Sequence, residues 1–386
     1  MGTKGKWGMG IVTLFLVMGG LSFICSDAAA AKLPELIIWT TYDVGTSTYM
    51  QTACMADGVM KKTGIKMRIL PSGNDIGRLI PVRSGIAHFS TMSGPSAYSG
   101  MHGLLDYARY EWGPQSFRQI LSVIDSDQSI SVAVAADSNI KTLKDLKGKR
   151  VTYIPGGTAI NACMEATLAF AGLTWNDVTK IPAPSLATSM KFIGEGKTDA
   201  AWASTTSPVM FEVERSPHGV YWPEYPLEDK AGWEKMLKMA PYLVPVNATK
   251  GIGVSKEKPR KLISYAYPLI LTYDTLSGDL VYEMTKAVDV SFDLYKSCHL
   301  VMPSWEFKKA VDLKSMILPY HPGTIRYLKE IGLWNRDLDN RQNLLIQEQA
   351  SLKKLWDETI SEATAKKIKE EGLSEFWMKK RADASK

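Results

Sequence analysis

Cysteine is scarce in this chain: four residues in 386, at positions 25, 54, 163 and 298. Spacings this wide exclude both the paired grammar of a zinc site and the dense framework of a disulfide-stapled mini-domain. Cys54 and Cys163 fall within amphipathic helical patterns, where a buried thiol is the ordinary reading. Pairing among Cys54, Cys163 and Cys298 stays open. Histidine is equally thin, with five residues (88, 102, 218, 299 and 321) at no metal-ligand spacing. No glycine-x-serine-x-glycine elbow, phosphate loop or metalloprotease signature occurs. The sequence therefore assigns no catalytic residue, no metal ligand and no cofactor. Basic residues are also not concentrated. The net charge is +6, and the one dense block, Lys141 to Arg150, reads as a solvated turn and short helix rather than a nucleic-acid patch.

Long apolar runs are absent except one. Lys4 and Lys6 precede an apolar stretch from Ile11 to Ile24, and Ala28 to Ala31 supplies small residues for cleavage. This is the three-part pattern of a secretory signal over residues 1–31. Cys25 invites a lipoprotein reading, but bulky Ile24 occupies the position where lipid attachment needs a small residue. Cleavage is expected near Ala30 or Ala31, giving a soluble, periplasmic protein. The leader carries Lys4, Lys6 and Asp27, so its removal lowers the net charge from +6 to about +5.

What is present is a repeated grammar. Leu36 to Thr41 reads as a strand running into Gly45-Thr46-Ser47 and a helical face at Tyr49, Ala53, Ala56 and Met60. Arg150 to Ile154 runs likewise into Gly156-Gly157-Thr158 and a face at Ile160, Met164 and Thr167. In both halves a second strand, a short helix and a third strand follow: 65–70 and 87–91 in the first, 178–181 and 199–202 in the second. Strands alternating with helices predict parallel sheets that bind ligands at the strand carboxyl ends. A glycine-hydroxyl turn opening a helix leaves backbone N–H groups and the positive dipole end free for an anion. The two turns together predict two lobes closing on one small acidic ligand.

Residues Ser129 to Ala136 and Ala266 to Thr272 suit two crossings between the lobes, and two crossings make a hinge. The division expected is lobe one over 32–133 and 266–334, lobe two over 134–265, and a helical C-terminal extension over 335–386.

Candidate ligand contacts follow from strand ends and turns: Gly45, Thr46, Ser47, Tyr49, Ser72, Asn74, Ser93, Gly157, Thr158, Trp202 and Ser204. For Thr46 and Ser47 the alternative is helix capping alone, and for Trp202 it is filling the interlobe wall. Gly157 is expected to refuse any side chain, through a positive φ or a ligand lying against it. Arg78 and Arg83 fall on what reads as a solvent-facing helix, and His321 before Pro322-Gly323 reads as a structural turn.

Three segments carry a family likeness. Leu143-Lys144-Asp145-Leu146-Lys147-Gly148-Lys149-Arg150-Val151, the Pro155-Gly156-Gly157-Thr158 turn, and His321-Pro322-Gly323-Thr324-Ile325-Arg326-Tyr327 with Gly332-Leu333-Trp334 resemble the TAXI family. These are solute receptors of tripartite ATP-independent periplasmic (TRAP) transporters. The resemblance covers roughly residues 36–334 and implies a type II periplasmic binding protein fold: two α/β lobes with two hinge crossings. It implies capture of a small anionic or zwitterionic solute, such as a carboxylate or amino acid, and delivery to membrane permease subunits. The chain departs from the family pattern at Thr40-Thr41-Tyr42-Asp43-Val44, which replaces a glycine-rich run and makes the pocket floor bulkier and more polar. The rival readings are the binding protein of an ATP-driven importer, an enzyme on the same scaffold using Cys163 or a cleft histidine, and a sensory or scaffold protein using the C-terminal helices.

Overall fold

The computed structural model describes residues 34–384, together with residues 1, 2 and 5. The leader expected over 1–31 otherwise lies outside the described residues. The chain divides into two units, Met1–Lys32 and Leu33–Lys386, and every element below belongs to the second.

Eleven strands run in chain order as β1 (Ile37–Tyr42), β2 (Met67–Ser72), β3 (Phe89–Met92), β4 (Phe117–Ser122), β5 (Ile130–Val134), β6 (Arg150–Tyr153), β7 (Thr179–Pro182), β8 (Ala200–Ser204), β9 (Val244–Ala248), β10 (Arg260–Ser264) and β11 (Leu269–Tyr273). The first sheet has the order β2-β1-β3-β11-β4 and the second β5-β8-β6-β7, with β9 and β10 forming a small hairpin-like pair. In the first sheet β1 runs parallel to β2 and β3, while β11 is antiparallel to β3 and β4. In the second, β6 runs parallel to β7 and β8, while β5 is antiparallel to β8. Each sheet is thus the same unit, a parallel ladder in the order second-first-third with one antiparallel strand beside the third. This is the two-lobed α/β architecture of the type II periplasmic binding protein.

Sequence chemistry accounts for the repeat. β3, β5 and β8 are buried at every residue, as strands covered on both faces must be, and they read as near-continuous small or apolar runs. The helix α1 (Ser47–Thr63) opens on Thr46, whose side chain caps the Tyr49 N–H, and closes on Gly64 at φ 75° with its N–H on the Met60 carbonyl. In lobe two, α4 (Thr158–Phe170) follows β6 in the equivalent place. Between these lie α2 (Asp75–Arg83) and α3 (Gly94–His102), and α5 (Leu186–Gly194) and α6 (Pro208–Glu214) follow α4.

The crossings are shorter than the sequence suggests. The run from Ser129 to Ala136 is expected to cross, yet β5 pairs along its length with β8, from Ile130 opposite Ser204 to Val134 opposite Ala200. The first crossing is therefore residues 123–129, and the alternating pattern reports a sheet edge paired on one side. Likewise β11 sits inside the first sheet between β3 and β4, leaving residues 265–268 as the second crossing.

Each lobe has its own apolar core, one built around Trp39, Phe89, Ile120 and Trp305 and the other around Val132, Met190, Trp202 and Trp222. The ordinary reading of Cys54 as a buried thiol is overturned. Cys54 on α1 and Cys298 form a disulfide with Cα atoms 5.9 Å apart, tying residues 244 apart in sequence. Cys163 remains a buried free thiol. The C-terminal stretch forms two helices, Arg336–Ala365 and Glu370–Ala384. Leu338 and Leu345 join the core of lobe one, while Trp356 and Trp377 meet edge-on at 5.0 Å in a third small cluster with Ala108.

Candidate binding cleft between the lobes

The carboxyl ends of β1, β2 and β3 face those of β6, β7 and β8 across a seam built from capped helix ends. At one end of the seam the Gly45-Thr46-Ser47 turn meets the turn after β8. The Gly45 carbonyl accepts from the Val209 N–H (3.2 Å), the Ser47 N–H donates to Ser207 Oγ (3.3 Å), and Ser47 Oγ lies 2.9 Å from Thr206 Oγ1. Ser204 Oγ joins through Thr206 Oγ1 at 3.0 Å. Gly45 holds φ +94°, a conformation only glycine takes without strain, so the turn is set by that residue.

Two carboxylates cross the seam. Asp43, just past β1, accepts the Ala187 N–H at the start of α5 through Oδ2 (3.0 Å). Asp75, in the first turn of α2, accepts the Ala159 N–H at the start of α4 through Oδ2 (2.8 Å). Helix N-termini of lobe two thus receive acidic side chains from lobe one, which is the favourable placement for a negative charge. The Thr158 hydroxyl donates to Asp106 Oδ2 of lobe one at 2.6 Å. Burial pushes the Asp43 carboxyl up from its ordinary pKa, partly offset by Ser185 and the Ala187 N–H.

Beneath Asp75 lies Arg78, and here the sequence reading is corrected. Arg78 is expected on a solvent-facing surface but has no exposed area. Its guanidinium pairs with Asp75 Oδ1, donates to the Ser72 carbonyl (3.2 Å), and stacks on the Tyr42 ring at 3.5 Å. In this nine-residue helix Ile80 is 54% exposed, while Asp75, Arg78, Leu79 and Val82 form the buried face. Burial opposes the charge of Arg78, but Tyr42 and Asp75 more than compensate and hold its pKa above the ordinary value. Burial also drives the Tyr42 hydroxyl pKa far up, so it stays protonated.

The remaining candidates fall around these contacts. Asn74 caps α2, accepting the Gly77 N–H at 2.8 Å, and Ser93 caps α3, accepting the Ser96 N–H at 3.3 Å. The Ser72 hydroxyl lies 3.5 Å from the Asn74 carbonyl. Tyr49 enters the network through its backbone N–H on Thr46 Oγ1 (3.2 Å). Of the two reasons given for Gly157 to refuse a side chain, a positive φ does not apply, since its φ is −85°. A side chain there would meet Ile154, with a Cβ 2.8 Å from the Ile154 Cβ and 3.0 Å from its carbonyl oxygen. The turn itself excludes a side chain.

Trp202 is 1% exposed, packs in the core of lobe two, and donates from Nε1 to the Tyr265 hydroxyl at 3.2 Å. It also borders a cavity of about 10 Å³ between the lobes, lined by Tyr42, Ile160, Leu186, Trp202, Tyr265 and Tyr267. That is about one water's worth of space. Asp75, Tyr265 and Tyr267 are not among the residues the sequence singles out, Tyr42 and Asp43 stand there only as part of a bulky, polar floor, and Arg78 is expected on the outside. Among the described residues no group of three or more histidine, cysteine or acidic side chains is placed to hold a metal ion.

The sequence matches the NMT1-like family over residues 45–332. The chain belongs to the NMT1-like family. No curated protein matches the sequence. Among solved structures, the chain is similar to the alkanesulfonate-binding protein SsuA from Xanthomonas axonopodis pv. citri bound to MOPS, at 13% identity, over 81% of this chain and 84% of that one, with a TM-score of 0.42. It is similar to PhnD1 from Prochlorococcus marinus in complex with methylphosphonate, at 14% identity, over 78% and 100%, with a TM-score of 0.44. An ancestral arginine-binding protein bound to glutamine is similar at 15% identity, over 69% and 98%, with a TM-score of 0.40. The family match spans both lobes and the seam between them.

Proposed function

We propose that this chain is an extracytoplasmic solute-binding protein of a membrane transport system, and more narrowly the receptor of a TRAP transporter. Its cleft takes a small anionic or zwitterionic solute, the lobes close over it, and membrane permease subunits receive it. The observation that carries this reading is the pair of helix N-termini in lobe two, at Ala159 and Ala187, aimed across the seam and each taking a carboxylate. A solute carboxylate has the same chemistry as Asp43 and Asp75 and exchanges with one of them when the lobes open. An ammonium group on the same solute pairs with the carboxylate released, and the faces of Tyr265 and Tyr267 favour a cation beside them. A zwitterion satisfies both halves of the seam.

The Cys54–Cys298 disulfide fits an oxidising compartment outside the cytoplasm. No helix among the described residues is long and apolar enough to cross a membrane. A Cys163 nucleophile fits poorly, because burial raises the thiol pKa well above its ordinary value, opposite to what thiolate chemistry needs.

Mass spectrometry of small molecules released from the purified exported protein identifies the solute, and calorimetry with that compound measures it. A carboxylate or amino-acid-like compound that binds at one site per chain is expected. A released compound with no anionic group overturns the solute class. Transport reconstituted with TRAP membrane subunits in vesicles tests the narrower reading. Transport that instead requires ATP-driven importer subunits contradicts it.

A further inference from the structure

Away from the seam, a larger cavity of about 440 Å³ lies where the two lobes and the long C-terminal helix meet. This is within the usual size range of small-molecule pockets, whereas the interlobe cavity is not. Lobe one contributes Tyr98 on α3 and Ile317, lobe two contributes Tyr242 and Val244, and both crossings border it through Ile124 and Ala266. The wall is pre-organised. Tyr98 packs on His102 at 4.1 Å between ring centroids and on Tyr242 at 5.3 Å, so aromatic contact already bridges the lobes here.

The charges are unbalanced. Lys314 and Arg341 line the cavity, and among the described residues neither forms an ion pair. The one acidic lining residue, Glu348, faces Arg381, whose charge it supports, and lies 3.6 Å from His102 Nε2. Burial first, then Arg381, holds the His102 pKa down to about 3, so His102 adds no charge at neutral pH. A chamber walled by aromatic and aliphatic side chains, with two cations among its lining that form no ion pair, has the chemistry to hold an anion with an apolar body.

We propose that this chamber is a second ligand site, separate from the interlobe cleft, for a medium-chain or aromatic monocarboxylate. The carboxylate sits between Lys314 and Arg341, and the apolar body lies against Tyr98, Tyr242 and Ile317. The C-terminal helix supplies Arg341 and Leu345, so the extension beyond the two lobes completes the site.

Octanoate is the probe, titrated by calorimetry into the full exported protein, with octylammonium and 1-octanol as controls. Octanoate is expected to bind at one site per chain with the controls at least tenfold weaker. The Lys314→Gln/Arg341→Gln double variant should lose at least tenfold in octanoate affinity. Both residues are at least partly exposed and outside the cores, and an unchanged thermal midpoint checks the fold. Ile317→Trp, which fills the chamber without touching the charges, should weaken octanoate as well. No octanoate binding to the wild type, equal binding of octanol, or full affinity in the double variant would each overturn the proposal.

Discussion

At the scale of single residues, the decisive contacts are buried and polar. Arg78 and Asp75 form an ion pair with no exposed side-chain area on either partner. Such a pair gives little net stability, but removing one partner leaves an uncompensated buried charge at a cost of about 3–5 kcal/mol. Arg78→Gln is therefore expected to destabilise the protein on that order, read as a shift in the urea midpoint. A midpoint unchanged from wild type would mean the guanidinium is solvated in solution and the cleft floor is misplaced. His321 supplies a second test. Its Nδ1 accepts the Gly323 N–H at 3.1 Å and its Nε2 lies 3.1 Å from the Leu276 carbonyl, so the neutral ring carries its proton on Nε2. Burial holds the pKa down from 6.5 to about 4. Above pH 6.5 folded and unfolded chains are both neutral here, and the cap contributes in full. As pH falls from 6.5 toward 4 the unfolded chain takes a proton that the folded chain refuses, so stability declines across that window. His321→Asn keeps a capping group without the titration, and should make the acid limb of stability against pH shallower by about one proton. An unchanged slope would show that His321 titrates normally.

At the scale of elements, the lobes approach so closely that one glycine sets the closure. A Cβ on Gly73 would lie 2.6 Å from the Ser185 Cβ and 3.1 Å from the Pro184 carbonyl oxygen. Both neighbours belong to the opposite lobe, and one of the atoms is backbone, so the added atom is relieved by holding the lobes apart. Overpacking of this kind costs about 1–3 kcal/mol. Gly73→Ala should then weaken solute affinity roughly five- to hundredfold, with the thermal midpoint of the solute-free protein little changed, because neither core is touched. Affinity equal to wild type would mean the solute-bound lobes never come this close. The same scale shows what the sequence made legible. The strand–turn–helix repeats at 37–63 and 150–170 were readable because glycine, a hydroxyl and a 3.6-residue apolar period coincide in each. The assignment of Arg78 failed because nine residues hold too few turns for periodicity to fix a phase, and the Asp75–Arg78 pair buries a charged face that reads as outer. β5 was misread as a crossing because an antiparallel strand and an extended linker share one pattern, and only the partner β8 distinguishes them. The aromatic lining fared no better, since Tyr265 and Tyr267 reach the seam from the second crossing, far in sequence from the other contacts.

At the scale of the molecule, two α/β lobes joined by two short crossings leave the seam as the natural place of motion, and the disulfide ties α1 to the segment around Cys298. The Cys54–Cys298 link closes a loop across most of the chain. Its loss, by Cys54→Ser with Cys298→Ser, should cost about 2–5 kcal/mol and appear as a lowered thermal midpoint. An unchanged midpoint would show that the bond does not form in the purified protein.

The central claim is that a solute is held between the lobes on the helix N-termini of lobe two. Hydrogen exchange measured by mass spectrometry, with and without the solute released from the purified protein, tests it most directly. The account predicts that the solute slows exchange in segments 43–48, 157–160 and 185–188, where backbone N–H groups line the seam. Protection confined to the hinge-side chamber or to the outer helices, with those three segments unchanged, would contradict it.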